Sequence, residues 1–252
     1  MMRITDTVKH LLIINVIFYV GCVIIGKGAY ELFSLYFPLS PQFKFWQPVT
    51  YMFMHDATSI RHLFSNMLLL FFVGPALEDI WGSKKFIFFY FSCGLGAALL
   101  HLGIEYISFY NGLATLVDAG FAKADVLKLL AEGKYMPGWE EYLTPMQFSN
   151  FMQAYLVPML GASGAVYGLL IAYAFLFPNR EIFLFLIPIP IKVKYVVGVT
   201  ILSDLYLGFR GTSLFGGNSD GIAHFAHIGG ALIGFIMMWY WKKNEHNNRR
   251  WN

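Results

Sequence analysis

The chain has 252 residues, 57% of them hydrophobic, 18% aromatic and only 13% charged, with a positive mean hydropathy. A water-soluble domain carries about 25% charged residues, so the composition excludes an ordinary soluble enzyme and points to an all-α membrane protein built as one compact helical bundle. The formal net charge of +3 is small and scattered, which argues against a nucleic-acid partner and leaves lipid as the principal surroundings.

Apolar runs of bilayer-spanning length predict six transmembrane helices: Leu11–Tyr36, His62–Ile80, Phe86–Tyr106, Ser163–Phe177, Val193–Phe209 and Ile222–Trp241. In hydrocarbon each backbone polar group must be satisfied within its own segment, so helices are the expected spanning form. The first run follows a short basic start, Arg3 and Lys9, as a cleaved leader would. No A-x-A-like site follows, and apolar character resumes through Phe33–Phe37, so the run is expected to be retained as a span. Cys22 and Cys93 lie inside apolar runs and are expected to pack rather than to pair or react.

Between the third and fourth runs, Ile107–Leu156 is too long for a connector. Leu113, Val117, Leu127 and Leu130 recur at near-helical spacing beside Asp125, Lys128 and Glu132, which predicts an amphipathic helix on the membrane face. Thr144-Pro145-Met146-Gln147 has the form of a capping box with proline at the first helical position. A cover over apolar surface is the preferred role for this segment, with substrate docking as the alternative. The fourth run is the shortest.

Loop charge sets the orientation. With both termini in the cytosol, the inner segments hold eleven of the eighteen basic residues, including Lys84, Lys85, Lys242 and Lys243. Three of the seven outer ones fall in the long loop, where charge counts little. Cytosolic N- and C-termini are therefore expected, and the second, fourth and sixth helices then run from outside to inside.

Strongly polar groups inside spans are costly and usually mark function. His62 and Asn66 open the second span at i, i+4 on one face, Ser163 opens the fourth, and His224 and His227 open the sixth. At 1.5 Å per residue, His62 to Glu78 and Ser163 to Asn179 each cover roughly 24 Å, and His227 to Lys242 roughly 22 Å. Against a hydrocarbon core about 30 Å thick, all three starts lie at matching depth, a few ångströms below the outer surface. A hydroxyl, an imidazole and an imidazole–amide pair in one layer are what a nucleophile, a base and an oxyanion hole require.

Each residue also has a plainer reading. Gly164-x-x-x-Gly168 is a small-residue packing stripe, and Ser163 fits within it. The G-x-S-x-G elbow of hydrolases needs a preceding strand, which is absent here. His62 and Asn66 fit a helix start. His224 and His227 have no H-E-x-x-H or cysteine cluster beside them, so a metal site is not expected, and neither is a cofactor. Gly230 and Gly234 follow His227 at +3 and +7 on one face, which would let the fourth helix approach and bring Ser163 within reach of His227. Tyr167, at i+4 from Ser163, faces the same way and could stack on the imidazole. Asp220 lies two turns before His227, too far to orient it, so a Ser–His dyad is expected.

The segments "HLFSN", "GPALEDIWGSKK", "GASGAVYG" and "AHIGGALIG" together resemble the rhomboid family of intramembrane serine proteases, in order and over nearly the whole chain. The resemblance implies a six-helix bundle that hydrolyses peptide bonds in or near transmembrane segments of other proteins. It implies Ser163 as nucleophile, His227 as base, and His62 with Asn66 in the oxyanion hole, supported by Gly161, Tyr167, Gly230 and Gly234. Trp46 resembles the tryptophan of the family's Trp-Arg pair, with Gln47 where arginine is usual. "RGTSLFGGNSDG" resembles the family's mobile cap, with Phe215 as a plug over the site. Transmembrane protein substrates are the expected partners, and a bacterial inner membrane is the expected location. The alternatives are an inactive rhomboid-like client-binding protein and a small transporter. The latter would favour internal repeats and polar groups at the midplane.

Overall fold

The computed structural model describes residues 3–184, 187–210 and 221–248. Its helices are, in order, α1 (Asp6–Ile25), α2 (Lys27–Phe33), α3 (Gln47–Thr50), α4 (Ile60–Trp81), α5 (Ser83–Asp118), α6 (Lys123–Ala131), α7 (Pro145–Leu156), α8 (Ser163–Leu176), α9 (Val193–Arg210) and α10 (Gly221–Asn248). Among the described residues, α1, α4 and α5 are long and apolar enough to cross a membrane, and α8 is a shorter apolar helix. The protein is an integral membrane protein, mostly helical.

The elements differ from the sequence expectation in three places. The first run is broken at Gly26, whose φ of 66° takes the left-handed conformation that glycine tolerates, so α1 ends at Ile25 and a short α2 follows. The third helix does not end near Tyr106 but continues to Asp118, and the predicted amphipathic helix is split by a turn at Gly120. Between α8 and α9 the chain forms a two-stranded antiparallel hairpin, β1 (Glu181–Leu184) with β2 (Ile187–Lys192), rather than a plain loop. Pro188 and Pro190 cannot donate to a helical ladder, which disfavours helix there.

Among the described residues two large apolar cores result, with a small third cluster of Cys22, Ala29 and Met54. The larger lies among α1, α4, α5, α8, α9 and α10, with Leu70, Phe86, Tyr90, Val166 and Leu169 fully buried. At its centre small residues replace bulk. A Cβ on Gly230 would lie 1.9 Å from the Gly164 carbonyl oxygen, and one on Gly234 would lie 2.8 Å from Gly168 Cα. α8 and α10 therefore touch backbone to backbone, the close approach that small residues permit between membrane helices. Cys93 of α5 fills the notch over Gly168, so this buried free thiol serves packing.

The second core gathers Phe109, Leu113 and Leu116 from the C-terminal end of α5 with Val126 and Leu130 of α6, Trp139, and Phe151 and Tyr155 of α7. The apolar residues of the long loop thus pack on one another. Thr144 caps α7 through a reciprocal capping box with Gln147. Glu78, near the end of α4, accepts backbone N–H bonds from Thr7 and Val8 at 3.2 and 3.1 Å and the Ser83 hydroxyl at 2.7 Å. Its charge caps the start of α1 and pins that helix to the bundle.

Candidate active site

Ser163 is the first residue of α8, and its backbone geometry follows from the turn before it. Gly161 has φ 122°, a conformation L side chains rarely adopt, and a Cβ there would meet His62 Nε2 at 2.9 Å. The Gly161 amide donates to the Tyr51 carbonyl at 3.0 Å, and Leu35 pairs with Met159 in an isolated antiparallel bridge. The start of α8 is thus fixed from two sides. A helix start leaves backbone N–H groups without intrahelical acceptors and carries the positive end of the helix dipole, so Ser163 sits where negative charge is favoured.

Ser163 Oγ lies 2.9 Å from His227 Nε2, across the glycine-lined contact of α8 with α10. Tyr167, one turn along α8, stacks on the His227 imidazole with ring centroids 4.2 Å apart and 14° between the planes. Ser163, His62 and His227 are half-buried.

His62 stands beside the turn before the serine, its Nε2 against Gly161. Its Nδ1 accepts the Asp56 backbone N–H at 3.5 Å, and its ring meets that of His55 edge-on at 5.1 Å. Asn66 is buried, and its Nδ2 donates to the His62 carbonyl at 2.9 Å, within its own helix. His62 therefore packs against the Gly161 turn that leads into the serine, whereas the described contacts of Asn66 tie it to α4. His55 is fully buried in the loop before α4, and burial holds its imidazole down to about 4, so it is neutral at pH 7.

One functional group has no counterpart in the sequence expectation. Asp204 of α9 is buried, and its Oδ1 lies 3.2 Å from His227 Nδ1 and also contacts His224 Nδ1. Expecting a dyad without an acid thus misses a carboxylate at the far end of the imidazole. The signal was available: Asp204 is an ionisable residue inside the apolar run "ILSDLYLGF", the kind of residue that marks function in a membrane span. Asp204, His224 and His227 offer ligand atoms within 4.8 Å of one another, the one group of metal-ligand type found among the described residues. Both histidines already direct Nδ1 to Asp204, so hydrogen bonding accounts for the cluster. Asp220, Phe215 and the expected cap lie outside the described residues.

Trp46 and Gln47 anchor the first loop. Trp46 Nε1 donates to the Leu32 carbonyl at 2.8 Å. Gln47 is buried, accepts the Tyr36 and Lys44 amides, and donates to the carbonyls of Glu31 and Gln42. Gln47 thus ties the loop together through a neutral amide.

A hydroxyl on an imidazole, the imidazole's far nitrogen on a carboxylate, and N–H groups beside the hydroxyl form an acyl-transfer constellation. The family model described as Rhomboid domain matches residues 42–244. Rhomboid protein 1, mitochondrial, of Saccharomyces cerevisiae is 26% identical over 189 residues, which is 75% of this chain and 40% of the relative. An uncharacterized mitochondrial rhomboid protein of Schizosaccharomyces pombe is 25% identical over 227 residues, 85% of this chain and 55% of that one. Rhomboid-like protease 3 of Toxoplasma gondii is 31% identical over 88 residues, 35% of this chain and 32% of the relative. The chain thus spans between about a third and about half the length of these relatives. Two of the three are named as mitochondrial, so the expected bacterial inner membrane gains no support.

Proposed function

Because the chain belongs to the rhomboid family, we propose that it is an intramembrane serine endopeptidase, hydrolysing peptide bonds in or near transmembrane segments of membrane-protein substrates. The observation that carries this reading is the 2.9 Å approach of Ser163 Oγ to His227 Nε2 between α8 and α10. Neither a packing serine nor a core histidine needs the other at hydrogen-bond distance.

In this reading α1, α4, α5, α8, α9 and α10 are the six spans, both termini are cytosolic, and α4, α8 and α10 run inward from the outer face. At 14 residues, α8 is roughly 21 Å long, short of the ~30 Å hydrocarbon core. Ser163 then lies in a hollow that water reaches from outside. His227 takes the Ser163 proton as Oγ attacks the scissile carbonyl. The oxyanion is held by N–H groups at the start of α8, with His62 and Asn66 as further donors. His227 protonates the leaving amine, and water, deprotonated by His227, hydrolyses the acyl-enzyme and restores Ser163.

A helical substrate does not present its carbonyl, because that group is bonded within the helix. Cleavage therefore favours small residues at the cut and helix-breaking residues nearby. The test is cleavage of a single-pass reporter by purified protein. Ser163→Ala and His227→Ala are each expected to abolish it, and leucines placed around the cut should slow it. Turnover that survives either substitution contradicts the proposal.

A further inference from the structure

We propose that Asp204 is a positioning residue for His227, so that the centre works as a serine–histidine–aspartate triad whose acid is supplied by α9 and held by His224. This inference rests on the endopeptidase reading above and adds to it the group that sets the state of the base.

The geometry puts one hydrogen bond at each end of the His227 ring: Nε2 to Ser163 Oγ at 2.9 Å and Nδ1 to Asp204 Oδ1 at 3.2 Å. A neutral imidazole carries one N–H, and what its other nitrogen can do depends on which one that is. A carboxylate only accepts, so Asp204 requires the proton on Nδ1. That leaves the Nε2 lone pair facing the serine hydroxyl, the arrangement a base needs. With the tautomers reversed, Nε2 would already bear a proton and could not take another.

The proton inventory then closes. Oγ loses its proton to Nε2 as the Oγ–C bond forms, and His227 becomes an imidazolium between the oxyanion and Asp204. The same proton passes to the leaving nitrogen as the C–N bond breaks. Asp204 stays ionised throughout and receives no proton. Its part is to hold the ring and to stabilise the transient positive charge.

The surroundings of Asp204 suit that part. A buried carboxylate is costly unless hydrogen-bonded, and its side chain is 7% exposed. His224, one turn before His227 on α10, donates to the same Oδ1, and the ring of Tyr167 stacks on His227 beside it. His224 alone would give Asp204 Oδ1 its partner if the role were structural. The second bond, to the face of His227 opposite the serine, is what a purely structural role leaves unexplained. Around His227 thus stand Asp204 from α9, Tyr167 from α8, His62 from α4 and His224 on its own helix.

The test compares reporter cleavage by wild type, Asp204→Asn and Asp204→Glu from pH 5 to 9, with thermal stability measured on the same samples. Asp204→Asn should lower kcat by about 10²–10⁴-fold with KM little changed. Asp204→Glu should restore part of the rate. Wild-type kcat in Asp204→Asn overturns the proposal. So does a loss that tracks stability alone and that glutamate does not relieve. Should Asp204→Asn fail to fold, the tautomer of His227 in ¹⁵N-histidine-labelled wild type decides without turnover. A proton on Nδ1 is expected, and a proton on Nε2 overturns it. If only this inference fails, wild type still cleaves and still depends on Ser163 and His227. If the endopeptidase reading fails, wild type does not cleave.

Discussion

Replacing Gly230 by alanine tests whether the α8–α10 contact sets the spacing of the reacting groups. The added Cβ would lie 1.9 Å from the Gly164 carbonyl oxygen and 3.1 Å from Gly164 Cα. A comfortable carbon–oxygen contact is about 3.3 Å. The obstacle is backbone, so no rotamer relieves it, and the two helices must part by on the order of 1 Å. Ser163 adjoins Gly164 and His227 lies one turn before Gly230, so the 2.9 Å hydrogen bond between them opens toward about 4 Å, beyond useful proton transfer. A misplacement of about 1 Å costs on the order of 10²-fold in rate, and overpacking a tight core costs roughly 1–3 kcal/mol. Reporter cleavage by purified protein should therefore fall by about two orders of magnitude, with a lowered thermal midpoint. Gly198→Ala on α9, where nothing lies within 4 Å of the added atom, is the control. It should keep its activity and gain up to about 1 kcal/mol from helix propensity. Gly230→Ala with wild-type turnover and stability would refute the reasoning.

Three further predictions concern the scaffold. Glu78→Gln weakens the charged cap on α1 and should cost about 1–3 kcal/mol, read as a lower thermal midpoint in detergent; an unchanged midpoint contradicts that role. His55 is held from 6.5 down to about 4 by burial. Below pH 6.5 the unfolded chain takes up a proton that the folded one refuses, so stability should fall from pH 6.5 to 4 and then level, by roughly 3 kcal/mol in all. His55→Gln should flatten that part of the stability–pH curve, and an identical slope would show that other groups produce it. Trp139→Ala should loosen the second core, and limited proteolysis should then cut between α5 and α7 while leaving α8 and α10 intact. Simultaneous exposure of both regions would mean the two cores unfold as one.

Much of the fold is legible in the sequence because lipid leaves the chain few choices. Long apolar runs mark α1, α4 and α5, and the apolar stretch after Ser163 marks α8. Polar residues at the starts of three runs single out Ser163, His62 and His227 before any coordinates are known, and the Thr144 capping box predicts the start of α7. The rest is hidden for specific reasons. Gly26 is one glycine in an apolar stretch, and only its positive φ reveals that it ends a helix. The C-terminal end of α5 passes into self-packed residues without a composition break, so length alone suggests an end near Tyr106. Asp204 is hidden because it is 23 residues from His227 along the chain, and only the packing of α9 on α10 brings the two together.

The central claim is that Ser163 is made nucleophilic by His227 inside the membrane. Its most direct measurement is mass-spectrometric mapping of a fluorophosphonate adduct on the membrane-embedded protein. Phosphonylation of Ser163, lost in His227→Ala without loss of thermal stability, is the predicted result. Modification of a different residue, or equal labelling of Ser163 with His227 removed, would contradict it.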